Sequence, residues 1–108
     1  MVLKQQQFAV AIAKLILYAD SASLYVTFGD AYRDPRLHGA MGEKKGYGAA
    51  NSCHKLRLAV DLNIIKNGTI APESEYKKLQ DYWNKNLGGS PMIEGDANHF
   101  SWQDGIFR

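Results

Sequence analysis

With 108 residues, 45% of them hydrophobic, and a formal net charge of +2, the chain suits one folded domain and is poorly suited to disorder or to strong binding of nucleic acid. Its one cysteine, Cys53, excludes an internal disulfide, so stability must come from the core and from any bound metal. Residues 1–108 are read as a single domain without room for a second module.

From Leu3 to about Ala19, the apolar residues Phe8, Ile12, Leu15 and Ala19 recur at helical spacing, with Lys4, Gln5, Gln7 and Lys14 elsewhere around the wheel. This predicts a first helix packed on a core. The run Phe8 to Ala19 has the look of a signal-peptide core, but Lys14 interrupts it and only Lys4 precedes it. A membrane span needs roughly 20 apolar residues, so neither an export signal nor a membrane span is expected. Leu24 to Phe28 alternates and is rich in β-branched and aromatic residues, predicting a strand. Gly29 then permits a bend into Asp30-Ala31-Tyr32-Arg33-Asp34-Pro35, which delivers Arg33 near the strand end. Residues 36–51 hold Gly39, Gly42, Gly46 and Gly48 and few large apolar groups, which reads as a loop with at most one short helical turn, and long loops in compact domains are often functional.

Leu58 to Ile65 is the clearest strand, since Leu58, Val60, Leu62 and Ile64 point one way while Ala59, Asp61 and Asn63 point the other. Asn67-Gly68 signals a turn. After Pro72 a helix with Tyr76, Leu79 and Trp83 on one side is expected to run until Gly88-Gly89 stops it. Short polar and apolar pieces complete the sequence. The expected fold class is α+β, a small antiparallel sheet flanked by helices.

The candidate chemistry lies in Ser52-Cys53-His54-Lys55-Leu56-Arg57-Leu58-Ala59-Val60-Asp61, joined by Asp96-Ala97-Asn98-His99-Phe100 further along. His54, Asp61 and His99 make a donor set for one catalytic zinc ion. Three nitrogen or oxygen ligands leave a fourth tetrahedral position open for water, whereas a structural site is closed by four ligands, usually thiolates. Asp61 falls on the polar face of its strand beside Ala59, whose small side chain would leave room for His54 and an ion. Asp96 stands three residues before His99, so on a turn or a helical start both face one centre. Only His99 then ligates, and Asp96 becomes the candidate base toward water acidified by the zinc. Arg33 would steady a developing oxyanion or a substrate carbonyl.

These residues resemble the VanY-type D-alanyl-D-alanine carboxypeptidases and L-alanyl-D-glutamate endopeptidases of phages and bacteria, over most of the chain. The shared pattern is the serine, histidine, alanine and aspartate at the offsets of Ser52, His54, Ala59 and Asp61. To it are added Asp96, His99 and Phe100, and the segment Tyr32, Arg33, Asp34 and Pro35. The resemblance implies a Hedgehog/D-Ala-D-Ala-peptidase-like fold with zinc held by His54, Asp61 and His99. It further implies Asp96 as general base, Arg33 as substrate and transition-state stabiliser, and Ser52 beside the substrate. Two departures are Arg57 where the family often has glycine, and Leu87 where it often has tryptophan before the paired glycines; neither is a ligand.

The expected activity is hydrolysis of L-alanyl-D-glutamate bonds in peptidoglycan stem peptides, as by a monomeric phage endolysin made in the host cytoplasm and acting on the wall after release. A D-alanyl-D-alanine carboxypeptidase and a catalytically inactive wall-binding module that keeps the zinc fold are the alternatives. At single positions too the chemical role has a plainer rival. Asp96 follows Gly95 as turn aspartates do, Glu94 is the next candidate base, and Arg33 could pair with Asp30 or Asp34 at the surface. His38 reads as structural, and Cys53 as a small buried hydrophobe that would point away from Ser52 and His54 in an extended segment.

Overall fold

The helical apolar spacing at the start of the chain becomes α1, Val2–Ser21, in a computed structural model whose described residues are 1–34, 40–44 and 49–108. Its buried stripe is Phe8, Ala11, Ile12, Leu15 and Ala19. Phe8 sets its ring edge-on against Trp83 and Trp102, at centroid separations of 5.8 and 5.7 Å, which anchors the helix to the core. No helix among the described residues is long and apolar enough to cross a membrane.

The first strand, β1, covers Val26–Phe28, shorter than the alternation from Leu24 predicted. The Leu24 N–H is spent on the Ala19 carbonyl at 2.8 Å, so Leu24 closes the helix exit instead of joining the ladder. Strand β2, Ala59–Lys66, is the hub of the sheet. It pairs antiparallel with β1 (Val26 opposite Ile64, Phe28 opposite Leu62), with β3, Thr69–Ile70, and with β4, His99–Ser101. Along β2 the side chains of Val60, Leu62 and Ile64 are buried, while Asp61, Asn63 and Ile65 are half-buried. The β2–β3 hairpin turns on Asn67 and Gly68, at φ of 54° and 76°, the positive pair that a two-residue type I′ turn demands.

The helix expected after Pro72 begins as a 3-10 turn, Glu73–Tyr76, and continues as α2, Lys77–Asn86. Tyr76, Leu79, Gln80 and Trp83 form its buried face. Two bonds tie α2 to β4: Trp83 Nε1 donates to the Ser101 carbonyl at 3.1 Å and Gln80 Nε2 to the His99 carbonyl at 2.9 Å. Gly89 runs against the Trp83 indole so closely that a Cβ there would sit 2.1 Å from it. The architecture is α+β, two helices with a small antiparallel sheet of four strands among the described residues.

Candidate metal centre

Ser52 starts the segment that presents His54. Its Oγ accepts the His54 N–H at 3.2 Å and so caps a 3-10 turn, Cys53–Leu56. Arg57 ends that turn in the left-handed region, at φ 57° and ψ 33°. A glycine would reach this conformation without the steric cost that an arginine bears there. Here the Arg57 guanidinium lies 4.0 Å above the Tyr32 ring. The turn is helical, so the extended geometry considered for Cys53 does not occur. The side chain is still fully buried, its thiol donates to the Trp102 carbonyl at 3.4 Å, and burial pushes its pKa up to about 11.

Asp61 and His99 are direct partners in the β2–β4 register, so two adjacent strands hold them face to face. His54 Nε2 approaches Asp61 Oδ1 at 3.1 Å, His99 Nδ1 approaches His54 Nε2 at 3.2 Å, and His99 Nδ1 lies 3.6 Å from Asp61 Oδ1. A tetrahedral ion with bonds of about 2.0–2.1 Å to such ligands has ligand–ligand edges of about 3.3–3.4 Å, and the three separations straddle that value. The other nitrogen of His54, Nδ1, is 2.7 Å from the Ala31 carbonyl, an acceptor only. That contact places a proton on Nδ1 and leaves Nε2 facing Asp61 and His99. Electron-rich atoms this close need a shared cation or proton between them. Both rings are almost fully buried and the Asp61 side chain is only 17% exposed, so water supplies little of that compensation. Burial pushes the Asp61 carboxyl up, but contact with His54 and His99 outweighs it and holds it down at about 2. Among the described residues, this His-Asp-His group could hold a metal ion.

The cluster forms the floor of a pocket of about 470 Å³, open to solvent, with Asp30, Arg33, Ser52, Asp96, Asn98 and Arg108 in its lining. Arg33 lies at this rim, but half-buried and held in place: its side chain is 10% exposed, Nη1 donates to Ser52 Oγ at 3.2 Å and Nη2 to Asp30 Oδ2 at 3.3 Å. Its N–H also donates to the His54 carbonyl at 3.1 Å. It therefore pairs with Asp30, as the plainer reading allowed, without being a surface arginine. Asp96 Oδ2 is 3.9 Å from His99 Nδ1 and its side chain is half-exposed. The same residue does follow a turn, with Gly95 at φ 78°, so the turn role and the pocket position coexist. Glu94 is exposed and is not in the described lining. Ala59 is also absent from that lining; it borders a separate apolar pocket with Ala31, Tyr32 and Arg57.

Three participants carried no sequence signal. The Ala31 carbonyl acts through the backbone, and Arg108 reaches the pocket because its carbonyl accepts the Cys53 N–H at 2.8 Å. Lys55, next to His54, is buried, and its Nζ donates to the carbonyls of Ala40, Glu43 and Ala50 at 3.2, 2.5 and 3.1 Å. It clamps chain that flanks the pocket. Pro35, His38, Gly39, Gly46 and Gly48, named in the motif and loop readings, lie outside the described residues. No family model, no curated protein and no solved structure matches the chain.

Proposed function

We propose that this chain is a zinc-dependent peptidase of bacterial peptidoglycan, cutting the L-alanyl-D-glutamate bond of stem peptides as the endolysins that its motifs resemble do. What carries the reading is the convergence of two imidazole nitrogens and one carboxylate oxygen, at tetrahedral-edge spacing, on the floor of an open pocket. A zinc ion held by His54, Asp61 and His99 would supply Lewis-acid activation of substrate and water. Asp96, at the pocket edge, takes the proton of the attacking water and passes it to the leaving amine. Arg33, fixed by Asp30 and Ser52, brings a pre-oriented positive charge to the wall where the carbonyl oxygen gains charge. Ser52 Oγ accepts from His54 N–H and from Arg33, which leaves its own O–H to donate to a substrate carbonyl. In this reading the protein is made in the host cytoplasm and meets the wall after release.

The test is digestion of purified peptidoglycan by the zinc-loaded protein, with and without chelator, followed by mass spectrometry of the new termini. New amino-terminal D-glutamate that vanishes with chelator is the expected result. Release of free D-alanine would identify the carboxypeptidase instead, and unchanged wall in the presence of zinc would sink the peptidase reading.

A further inference from the structure

The polar face of β2 carries a fixed amide beside the metal ligands. Asn63 stands two residues after Asp61 in β2, so the two side chains project from one face of the strand. Gly29 keeps the space beside them open, since a Cβ there would lie 3.0 Å from Asp61 Cβ and 3.3 Å from Asn63 Nδ2. Asn98, just before β4, reaches the same face: its Nδ2 donates to Asn63 Oδ1 at 2.8 Å. Its backbone is fixed as well, because its carbonyl accepts the Leu62 N–H at 2.9 Å and Gln80 Nε2 donates to the carbonyls of both its neighbours, Ala97 and His99. Asn98 lines the pocket whose floor is the His-Asp-His group, and it is only half-buried. With Nδ2 turned to Asn63, its Oδ1 has no hydrogen bond among the described residues and is not shut away from solvent as the unpartnered Asn51 Oδ1 is. A neutral acceptor held in this way suits an N–H group of a ligand lying beside the metal ligands.

Asp96 opens the turn that contains Asn98, closed by the bond from the His99 N–H to the Asp96 carbonyl at 3.1 Å, and in the proposed reaction Asp96 protonates the leaving amine. The amine half of the substrate therefore lies on the side of the pocket that Asn98 lines. In a stem peptide cut after L-alanine, that half begins with D-glutamate, which continues the chain through its side-chain carboxyl. The first peptide N–H beyond the cut then belongs to the residue that follows D-glutamate. We propose that Asn98, oriented by Asn63, is a substrate-binding residue whose Oδ1 accepts this N–H, so that the site selects for a residue after D-glutamate. An ester oxygen in place of the N–H offers no proton and sets an acceptor against an acceptor. The assignment rests on the peptidase reading for the identity of the substrate, but not on turnover.

Binding is therefore measured on two fragments that lack the scissile bond, γ-D-glutamyl-L-alanine and its ester counterpart γ-D-glutamyl-L-lactate, by NMR titration of the zinc-loaded protein. The wild type should bind the amide about 3- to 10-fold more tightly, the scale of one neutral hydrogen bond. Asn98→Ala and Asn98→Ser should each bring that ratio close to one while keeping the zinc, and Asn63→Ala, which frees the Asn98 amide, should lower it in part. The backbone bonds around residue 98 remain in every variant, so folding is preserved, and circular dichroism checks this. A role confined to structure would weaken both fragments alike and leave the ratio unchanged. Equal or absent binding of the two fragments by the wild type overturns the proposal, as does an undiminished preference in the Asn98 variants. Failure to cleave an intact stem peptide, with the fragment preference present in the wild type and lost in Asn98→Ala, removes the peptidase reading and leaves the N–H-binding subsite standing.

Discussion

At His54 the ring is oriented before any ion arrives, because Nδ1 is held by the Ala31 carbonyl, whereas Asp96 touches the cluster only from its edge. The two residues should therefore fail differently. His54→Ala should lose most bound zinc in a folded protein, measured by elemental analysis after desalting. Asp96→Asn should keep the zinc and the fold and lose turnover on the order of 100-fold or more, since an amide keeps the shape but cannot take a proton. Full metal occupancy in His54→Ala would defeat the ligand assignment, and a fully active Asp96→Asn would move the base elsewhere. Cys53 gives a pH prediction of its own. Burial favours its thiol form and raises its pKa from 9.0 to about 11, so above pH 9 the unfolded chain loses a proton that the folded chain keeps. The stability contribution of Cys53 is thus whole below pH 9 and is lost as pH rises toward 11. A Cys53→Ala variant should show a flatter decline of denaturation midpoint over that window, and the native wild-type thiol should resist alkylation at pH 8 until denaturant is added.

Among the elements, α2 does the placing, because Gln80 and Trp83 bond the β4 carbonyls and the chain leaves α2 by passing Gly89 across the Trp83 indole. Gly89→Ala puts a methyl into that ring, and the backbone has to move or the indole has to leave its bond to Ser101. A destabilisation of about 2–4 kcal/mol is expected from such overpacking of a core aromatic, read as a lower urea midpoint. A change within about 0.5 kcal/mol would mean that the contact is easily relaxed. The paired glycines were legible as a helix stop; the second one's role as a seat for tryptophan was not, since the partner lies in a different turn of chain. The Asn67-Gly68 hairpin was fully legible, because its turn type admits few other residues. The true start of β1 was not, since it depends on where one backbone N–H of Leu24 goes. Likewise the donor set His54, Asp61 and His99 could be read from residue types and spacing, while Ala31, Lys55 and Arg108 act through backbone groups or contacts that no local pattern records.

For the whole molecule, a chain of 108 residues has a modest core, and a ligand that binds only the folded state adds stability by mass action. Stripping zinc with a chelator should lower the thermal midpoint by several degrees, and readding zinc should restore it, a shift that scanning calorimetry reads directly. An unchanged midpoint would mean that the three side chains are held without the ion. The register that puts Asp61 opposite His99 adds something further. Because side chains alternate along a strand, a one-residue slip of β4 against β2 would turn His99 away from Asp61 and break the donor set. An ion bound there would act as a proofreader of strand pairing: it would recognise one alignment of two short strands and penalise its nearest neighbour by the binding free energy that His99 contributes, so the fidelity of this sheet would rise with the concentration of free metal around the folding chain.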